Sequence, residues 1–228
     1  MSSMTNTAET RGASRVEKMY EQLRVDIISG TYPPGTPLRT SGLAKDAGVS
    51  LSVVRESLIR LTENGLVEFV QNQGFRVMEV SREDLMDLSE VRIMMETRVL
   101  AHSIERAGLD WEGQVVATHH KLDALSDPAS GAVGSREWTQ AHADFHDALG
   151  VGCGSPRLIN IVRLLRDSSE IYRQLSGPTG AEIVRDIRGE HTRIKDLAVA
   201  RDVDGAINAL ADHLQQTTDL LLNEVLTD

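Results

Sequence analysis

Four histidines offer the most specific chemistry in this sequence. His142 and His146 stand four residues apart, so on one helix both imidazoles leave the same face. His191 and His213 follow on two later stretches of helical periodicity. Two imidazoles at that spacing can share one metal ion, and facing helices of a bundle commonly complete such a site. Imidazole nitrogen suits zinc, nickel and related divalent transition ions, at about 2.0–2.1 Å. The long separations between His146, His191 and His213 form no metal motif, and by spacing alone unrelated helix-surface histidines are the commoner source of such a pattern. The single cysteine, Cys153, rules out an internal disulfide, and its Gly-Cys-Gly setting reads as a loop without chemistry.

The segments that carry these histidines are helical throughout. Ser81 can cap a helix with Glu83 and Asp84 in its first turn, and Leu85, Leu88, Val91, Ile93, Met95 and Val99 give that helix its apolar face. Trp111 to Leu125 forms a second helix. After a Gly/Ser/Ala loop, Trp138, His142, Phe145 and Leu149 share the face of a third, and a fourth runs from Pro156 past Ile171. Ser176 to Gly180 reads as a loop, followed by helices over Ile183 to Ala200 and Val203 to Leu226. With strand signals missing, residues 80–228 are expected to form an all-α bundle.

The first part of the chain is different. Thr40 to Leu66 reads as two short helices joined at Gly48, which supplies the positive φ a tight turn needs, with Ala44 allowing close approach and Val49 and Val54 buried between them. Ser50 or Ser52 can cap the second helix, whose inner face carries Val54, Leu58 and Leu61. Leu51, Ser52, Arg55 and Glu56 then sit at its exposed N-terminal end, where a recognition helix meets base edges in a major groove. A plain helical hairpin fits that spacing about as well as a helix-turn-helix does. The flanks decide. Upstream, Val16, Met19, Tyr20, Leu23, Ile27 and Ile28 mark an amphipathic helix that stops at Gly30, before a rigid turn from Tyr32 to Leu38. Downstream, Leu66 to Val70, Gln71 to Gly74 and Phe75 to Val77 read as strand, turn, strand. The expected organisation is therefore mainly α: a polar, disordered arm over 1–13, a winged helix-turn-helix over 14–79 and the bundle over 80–228.

The chain has 228 residues and a net charge of −10. Phosphate contacts dominate nucleic-acid affinity, so that charge at first argues against DNA. Its distribution answers part of the objection: residues 1–80 balance acid against base, and the whole excess of acid falls in the bundle. A neutral head predicts modest, salt-sensitive binding that needs two heads acting together. No apolar run is long enough to span a bilayer, and the polar start lacks a signal-peptide core, so a cytoplasmic location is expected.

The residues also carry a family resemblance. Val16-x-x-x-Tyr20-Glu21-Gln22-Leu23-Arg24, Pro34-Gly35-x-x-Leu38, Leu43-Ala44-x-x-x-Gly48-Val49-Ser50, Val54-Arg55-Glu56-Ser57-Leu58-x-Arg60-Leu61 and Gly65-Leu66-Val67 closely resemble, in order, the DNA-binding domain of GntR-family transcriptional regulators over about residues 14–78. Behind it, Glu90-Val91-Arg92-x-x-x-Glu96, Phe145-His146, Glu190-His191 and Asp212-His213-Leu214 resemble the FCD effector domain of the FadR subgroup. This resemblance implies a homodimeric, ligand-responsive regulator, commonly a repressor, bound to a two-fold symmetric double-stranded operator. It also implies a metal held by an Asp and three His, the three here being His146, His191 and His213. His142 stands at the Asp position, which replaces a charged oxygen with a neutral nitrogen and favours softer ions over magnesium-like ones. His102, His119 and His120 match no ligand position and are read as structural. The family's small carboxylate effector implies an arginine partner. Arg92 is the first candidate, and Arg163 and Arg166 are weaker ones; the competing reading is an ion pair, such as Arg92 with Glu96.

In the head, Arg55 is expected to read guanine or grip phosphate, Arg39 to touch phosphate, Ser50 and Ser52 to donate to the DNA backbone, and Gly74 to let the wing approach the minor groove. Leu51 and Gln73 stand where the family commonly has basic residues, so a thymine methyl contact at Leu51 replaces guanine pairing and the family's usual operator is not implied. Two rival readings use the same histidines. One is a metal-dependent hydrolase, since an ion with an open position activates water, although no acid stands where its general base would. The other is a metal sensor, with the ion itself as signal.

Overall fold

The computed structural model describes residues 4–176 and 185–224. The chain divides into two compact units, Met1–Val80 and Ser81–Asp228.

In the first unit, α1 (Met4–Ile28) buries Val16, Met19, Tyr20, Leu23, Ile27 and Ile28. Its helical backbone begins inside the segment expected to be a disordered arm. Helix propagates from a packed turn at one hydrogen bond per residue, so a polar extension needs no apolar periodicity of its own. The expected turn up to Leu38 also needs correction. Pro37–Leu38 is a short strand, β1, on which Leu38 is buried opposite Phe75, and Pro37 is tolerated because the strand lies at the sheet edge. Helices α2 (Thr40–Ala47) and α3 (Leu51–Glu63) meet at Gly48, whose φ of 63° turns the chain so that Val49 N–H donates to Ala44 C=O at 3.1 Å. Ser50 is the residue that caps α3, accepting from Val53 N at 3.4 Å. Val54, Leu58 and Leu61 are fully buried, whereas Val49 is only half-buried. Ser57 Oγ ties α3 to α1 by donating to Val16 C=O at 3.1 Å. Strands β2 (Val67–Val70) and β3 (Gly74–Val77) form the wing, with Val67 opposite Val77 and Val70 opposite Gly74.

The described part of the second unit consists of six α-helices and one short 3-10 turn at Pro128–Ser130. The helices are α4 (Arg82–Arg106), α5 (Leu109–Leu125), α6 (Arg136–Val151), α7 (Pro156–Ser176), α8 (Ile187–Val199) and α9 (Val203–Glu224). The loop expected over Ser176–Gly180 is displaced at its start, because Ser176 ends α7; positions 177–180, like the expected helix start at 183 and end at 226, lie outside the described residues. Helix α4 packs along α9 and α7, and α5 packs on α6 and α8. One core joins α4, α5, α6, α8 and α9, including Leu100, Trp111, Phe145, Leu149, Ile194 and Leu210, while α7 packs on α4 through a separate cluster of Val162 with Val99 and Cys153. The first turn of α4 is fixed on two sides. Tyr172 Oη accepts from Ser81 N at 3.3 Å and donates to Asp84 Oδ2 at 2.5 Å, and Arg82 donates to Leu222 C=O at 2.6 Å. No described helix is long and apolar enough to cross a membrane.

Gly48 is the residue on which the α2–α3 turn depends. A Gly48→Val substitution should destabilise the head by about 1–2 kcal/mol through left-handed backbone strain, while Gly48→Asn should cost less. Urea unfolding curves of the two variants check this; equal losses would contradict it.

Candidate metal centre

Among the described residues, one group of histidine, cysteine and acidic side chains is placed to hold an ion: His142, His146, His191 and His213, with ligand atoms all within 4.8 Å of one another. Three helices bring them together. α6 supplies His142 and His146, whose ring centroids lie 4.6 Å apart, α8 supplies His191, and α9 supplies His213, 4.7 Å from His191. Phe145, fully buried, stands edge-on to both His146 and His191 at 5.5 Å and walls the group from the core.

The environment keeps the imidazoles neutral. Burial first, then the charge of Arg173, holds His142 well below the usual imidazole range. Burial and the neighbouring His142 do the same for His146, and burial and His213 for His191. His213 is also lowered by burial, against the pull of Glu190. Neutral imidazole is the form that binds a metal. Both ring nitrogens of His146 and both of His191 are buried without a hydrogen-bond partner. Native cores rarely leave such groups unpaired, so these nitrogens fit an ion as their partner. Two ligands at 2.0–2.1 Å from one ion stand at most about 4.2 Å apart, so a set within 4.8 Å needs only small ring adjustments.

The shell around the cluster adds Arg185 and Arg173 to Glu190 and Trp138. His213 Nδ1 lies 2.7 Å from Glu190 Oε2, while Arg185 reaches Glu190 at 2.5 Å and His213 C=O at 2.8 Å. Burial alone would raise the Glu190 carboxyl, but hydrogen bonds from His213 and Arg185 hold it down at about 2. An ionised Glu190 makes His213 Nδ1 the donor and leaves Nε2 with the lone pair. On the other side, Trp138 stacks on His142 at 5.1 Å and 14°, with the Arg173 guanidinium 4.6 Å from the indole. Trp138 was legible as a ligand neighbour, being one further helical turn before His142; nothing in the spacing marked Arg173 or Arg185.

The expected effector arginines are engaged. Arg92 donates to Glu96 at 2.9 Å and to Ser169 at 2.5 Å, and Arg166 donates to Glu96 at 2.8 Å and Asp147 at 2.8 Å. Arg163 pairs with Asp147 at the surface. Thus Arg92 makes the ion pair that competed with an effector role, around a Glu96 that is 1% exposed. Burial pushes Glu96 up, but Arg166 and Arg92 together hold it below the usual carboxylate range. His119 is buried against Phe145 and Thr192, His120 is exposed, and none of His102, His119 and His120 belongs to the cluster.

In the head, Arg39, Ser50, Leu51, Ser52, Arg55 and Gln73 are all exposed, and Gly74 is half-exposed at φ 89°. Ser50 Oγ and Ser52 Oγ are 2.9 Å apart. Two other arginines of the head are paired: Arg60 with Glu17 at 2.8 Å, and Arg76 with Glu68 at 2.6 Å and Glu79 at 2.8 Å. Among the described residues, Arg39 and Arg55 have no ion-pair partner, which leaves their guanidinium groups open to an anion.

Residues 87–216 match the family model described as the FCD domain, and residues 15–77 match that of bacterial regulatory proteins, gntR family. The chain is 31% identical to the HTH-type transcriptional regulator BphR of Paraburkholderia xenovorans, over 91% of this chain and 85% of that protein. It is also 31% identical to the HTH-type transcriptional repressor GlaR of Escherichia coli, over 86% of this chain and 90% of that protein. Among solved structures, E. coli McbR has a similar fold, with a TM-score of 0.80 at 22% identity over 92% of this chain and 97% of that one.

The Glu96 network makes stability depend on acid in a stated direction. Its folded pKa is depressed, so ionised Glu96 adds stability that is fully present above the unfolded value of about 4.3 and lost as pH falls through the folded value. Glu96→Gln should cost the helical unit about 3 kcal/mol at pH 7, by leaving two arginines short of a charge partner, and should flatten the loss of stability below about pH 4.3. Denaturant melts at pH 7 and across the acid range check both parts; an unchanged acid limb would contradict the assignment.

Proposed function

The chain belongs to the GntR family of bacterial regulatory proteins and carries an FCD domain, which makes it a DNA-binding transcriptional regulator and not an enzyme, and we propose that it is a cytoplasmic homodimeric repressor controlled by a small organic acid. The hydrolase reading falls with that membership, since the relatives that match are regulators. His142, His146, His191 and His213 would hold a divalent transition ion, zinc or nickel, and the observation that carries this is the pairless burial of His146 and His191. Such an ion, when bound, supplies a Lewis-acidic centre for a carboxylate. The charges of Arg173, Arg92 and Arg185 already bear on the histidines, which supports an anionic ligand, and adds Arg173 and Arg185 to Arg92, Arg163 and Arg166 as its candidate partners. The name of GlaR, a repressor, supports the sign of control.

For the head, the reading rests on Arg55 at the exposed start of α3, with Arg39, Ser50, Ser52, Leu51 and the wing residues Gln73 and Gly74 around it. Two heads in a dimer fit a two-fold symmetric operator. Linkage of about 1–3 kcal/mol between acid and operator changes DNA affinity five- to 150-fold.

Operator retention should be measured on chelated, zinc-loaded and nickel-loaded protein, each with and without a panel of small mono- and dicarboxylates. The proposal expects an acid to weaken retention at least fivefold in loaded protein alone. A response to chelator with none to any acid would make the metal the signal and overturn the acid reading. Arg55→Ala should lose about 1–3 kcal/mol of sequence discrimination while leaving acid binding intact; undiminished discrimination would remove Arg55 from the interface.

A further inference from the structure

Each ligand imidazole needs its ring orientation fixed from outside, and a second-shell hydrogen bond usually does this. Glu190 provides it for His213, and Arg185 holds Glu190 in place by donating to its carboxylate at 2.5 Å. His142, His146 and His191 all lack a hydrogen-bond partner among the described residues, but His146 and His191 are buried against Phe145, whereas His142 is half-buried. What it has is an aromatic plane. The indole of Trp138 lies almost parallel to it, at 14° and 5.1 Å. That indole is 5% exposed and is itself held in place: Nε1 donates to Ser126 Oγ at 2.9 Å, at the end of α5, and the Arg173 guanidinium lies 4.6 Å from its ring. The Trp138 backbone N–H in turn donates to the Ser135 cap of α6 at 3.2 Å. A chain of contacts therefore runs from the end of α5 through one indole to one imidazole.

We infer that Trp138 is a positioning residue of the metal centre: its indole face, clamped by Ser126 and Arg173, fixes the ring of His142 so that the fourth nitrogen is presented to the ion. This deepens the proposed metal reading and rests on it. The stack takes the place of the second-shell hydrogen bond that His142 lacks. A flat ring at position 138 is therefore a requirement of the site, and Phe satisfies it where Leu does not.

The test is a double-mutant cycle on metal affinity, with zinc and cobalt titrated alone into the full chain. Trp138→Leu should weaken binding about ten- to a hundredfold, the range for loss of an outer-shell partner. Trp138→Phe should retain most of the affinity. Trp138→Leu combined with His142→Ala should be no weaker than His142→Ala alone, because the indole acts only through that imidazole. In cobalt absorption, Trp138→Leu should shift the spectrum toward that of His142→Ala. Additive losses in the cycle would show that Trp138 merely packs the core and would overturn the inference, as would a Leu variant with the affinity of the Phe variant. Ser126→Ala, which unhooks the indole and leaves it in place, supplies a gentler arm if the Leu variant folds poorly; it should weaken metal in wild type and have no effect on top of His142→Ala, and an equal loss in both backgrounds would overturn the inference. A wild-type chain that takes up neither ion would instead remove the metal reading beneath it.

Discussion

Four ring nitrogens, two on His146 and two on His191, are shut inside the helical unit with no hydrogen-bond partner. Leaving one buried polar group unsatisfied costs about 1–3 kcal/mol, so a core that does this twice in neighbouring residues is poorly satisfied by its own groups. The rest of the unit is arranged around that mismatch. Burial keeps the imidazoles neutral, Phe145 closes the inner side, and the charged groups stand one layer out, with Glu190 and Arg185 behind His213 and Arg173 beyond Trp138. An ion held there would stabilise the folded chain by mass action, linking its occupancy to the integrity of the bundle.

In the head, by contrast, two of the candidate groups are left unpaired at the surface. Arg60 and Arg76 are neutralised by acids, while Arg39 and Arg55 are exposed without partners at the front of α2 and on α3. With acid and base in balance over residues 1–80, local exposure of two guanidinium groups counts for more than net charge.

Periodicity and turn chemistry made most of the fold legible. The buried faces of α1 and α3, the Gly48 turn and the wing follow directly from apolar spacing and positive-φ residues. β1 was not legible, because two residues joined to a non-adjacent strand carry no pattern of their own. In the site, the i, i+4 pair His142 and His146 was readable, but only the family resemblance joined His191 and His213 to it, since contacts between helices leave no mark in spacing. For the same reason Arg185 and Arg173 escaped notice. Arg92 shows the limit of assigning roles by residue type: its spacing to Glu96 allowed an ion pair and an effector contact alike, and the folded chain makes the ion pair.

The central claim, that the histidines hold an ion whose free positions accept an acid, is tested most directly by X-ray absorption at the zinc and nickel edges on purified protein, before and after adding small carboxylates. The account predicts one ion per chain with a shell dominated by imidazole nitrogen at about 2.0–2.1 Å, and a change in its oxygen ligands when the right acid is added. Absence of a stoichiometric ion after loading, or a nitrogen-poor shell unaffected by substitution of His146 or His191, would contradict it.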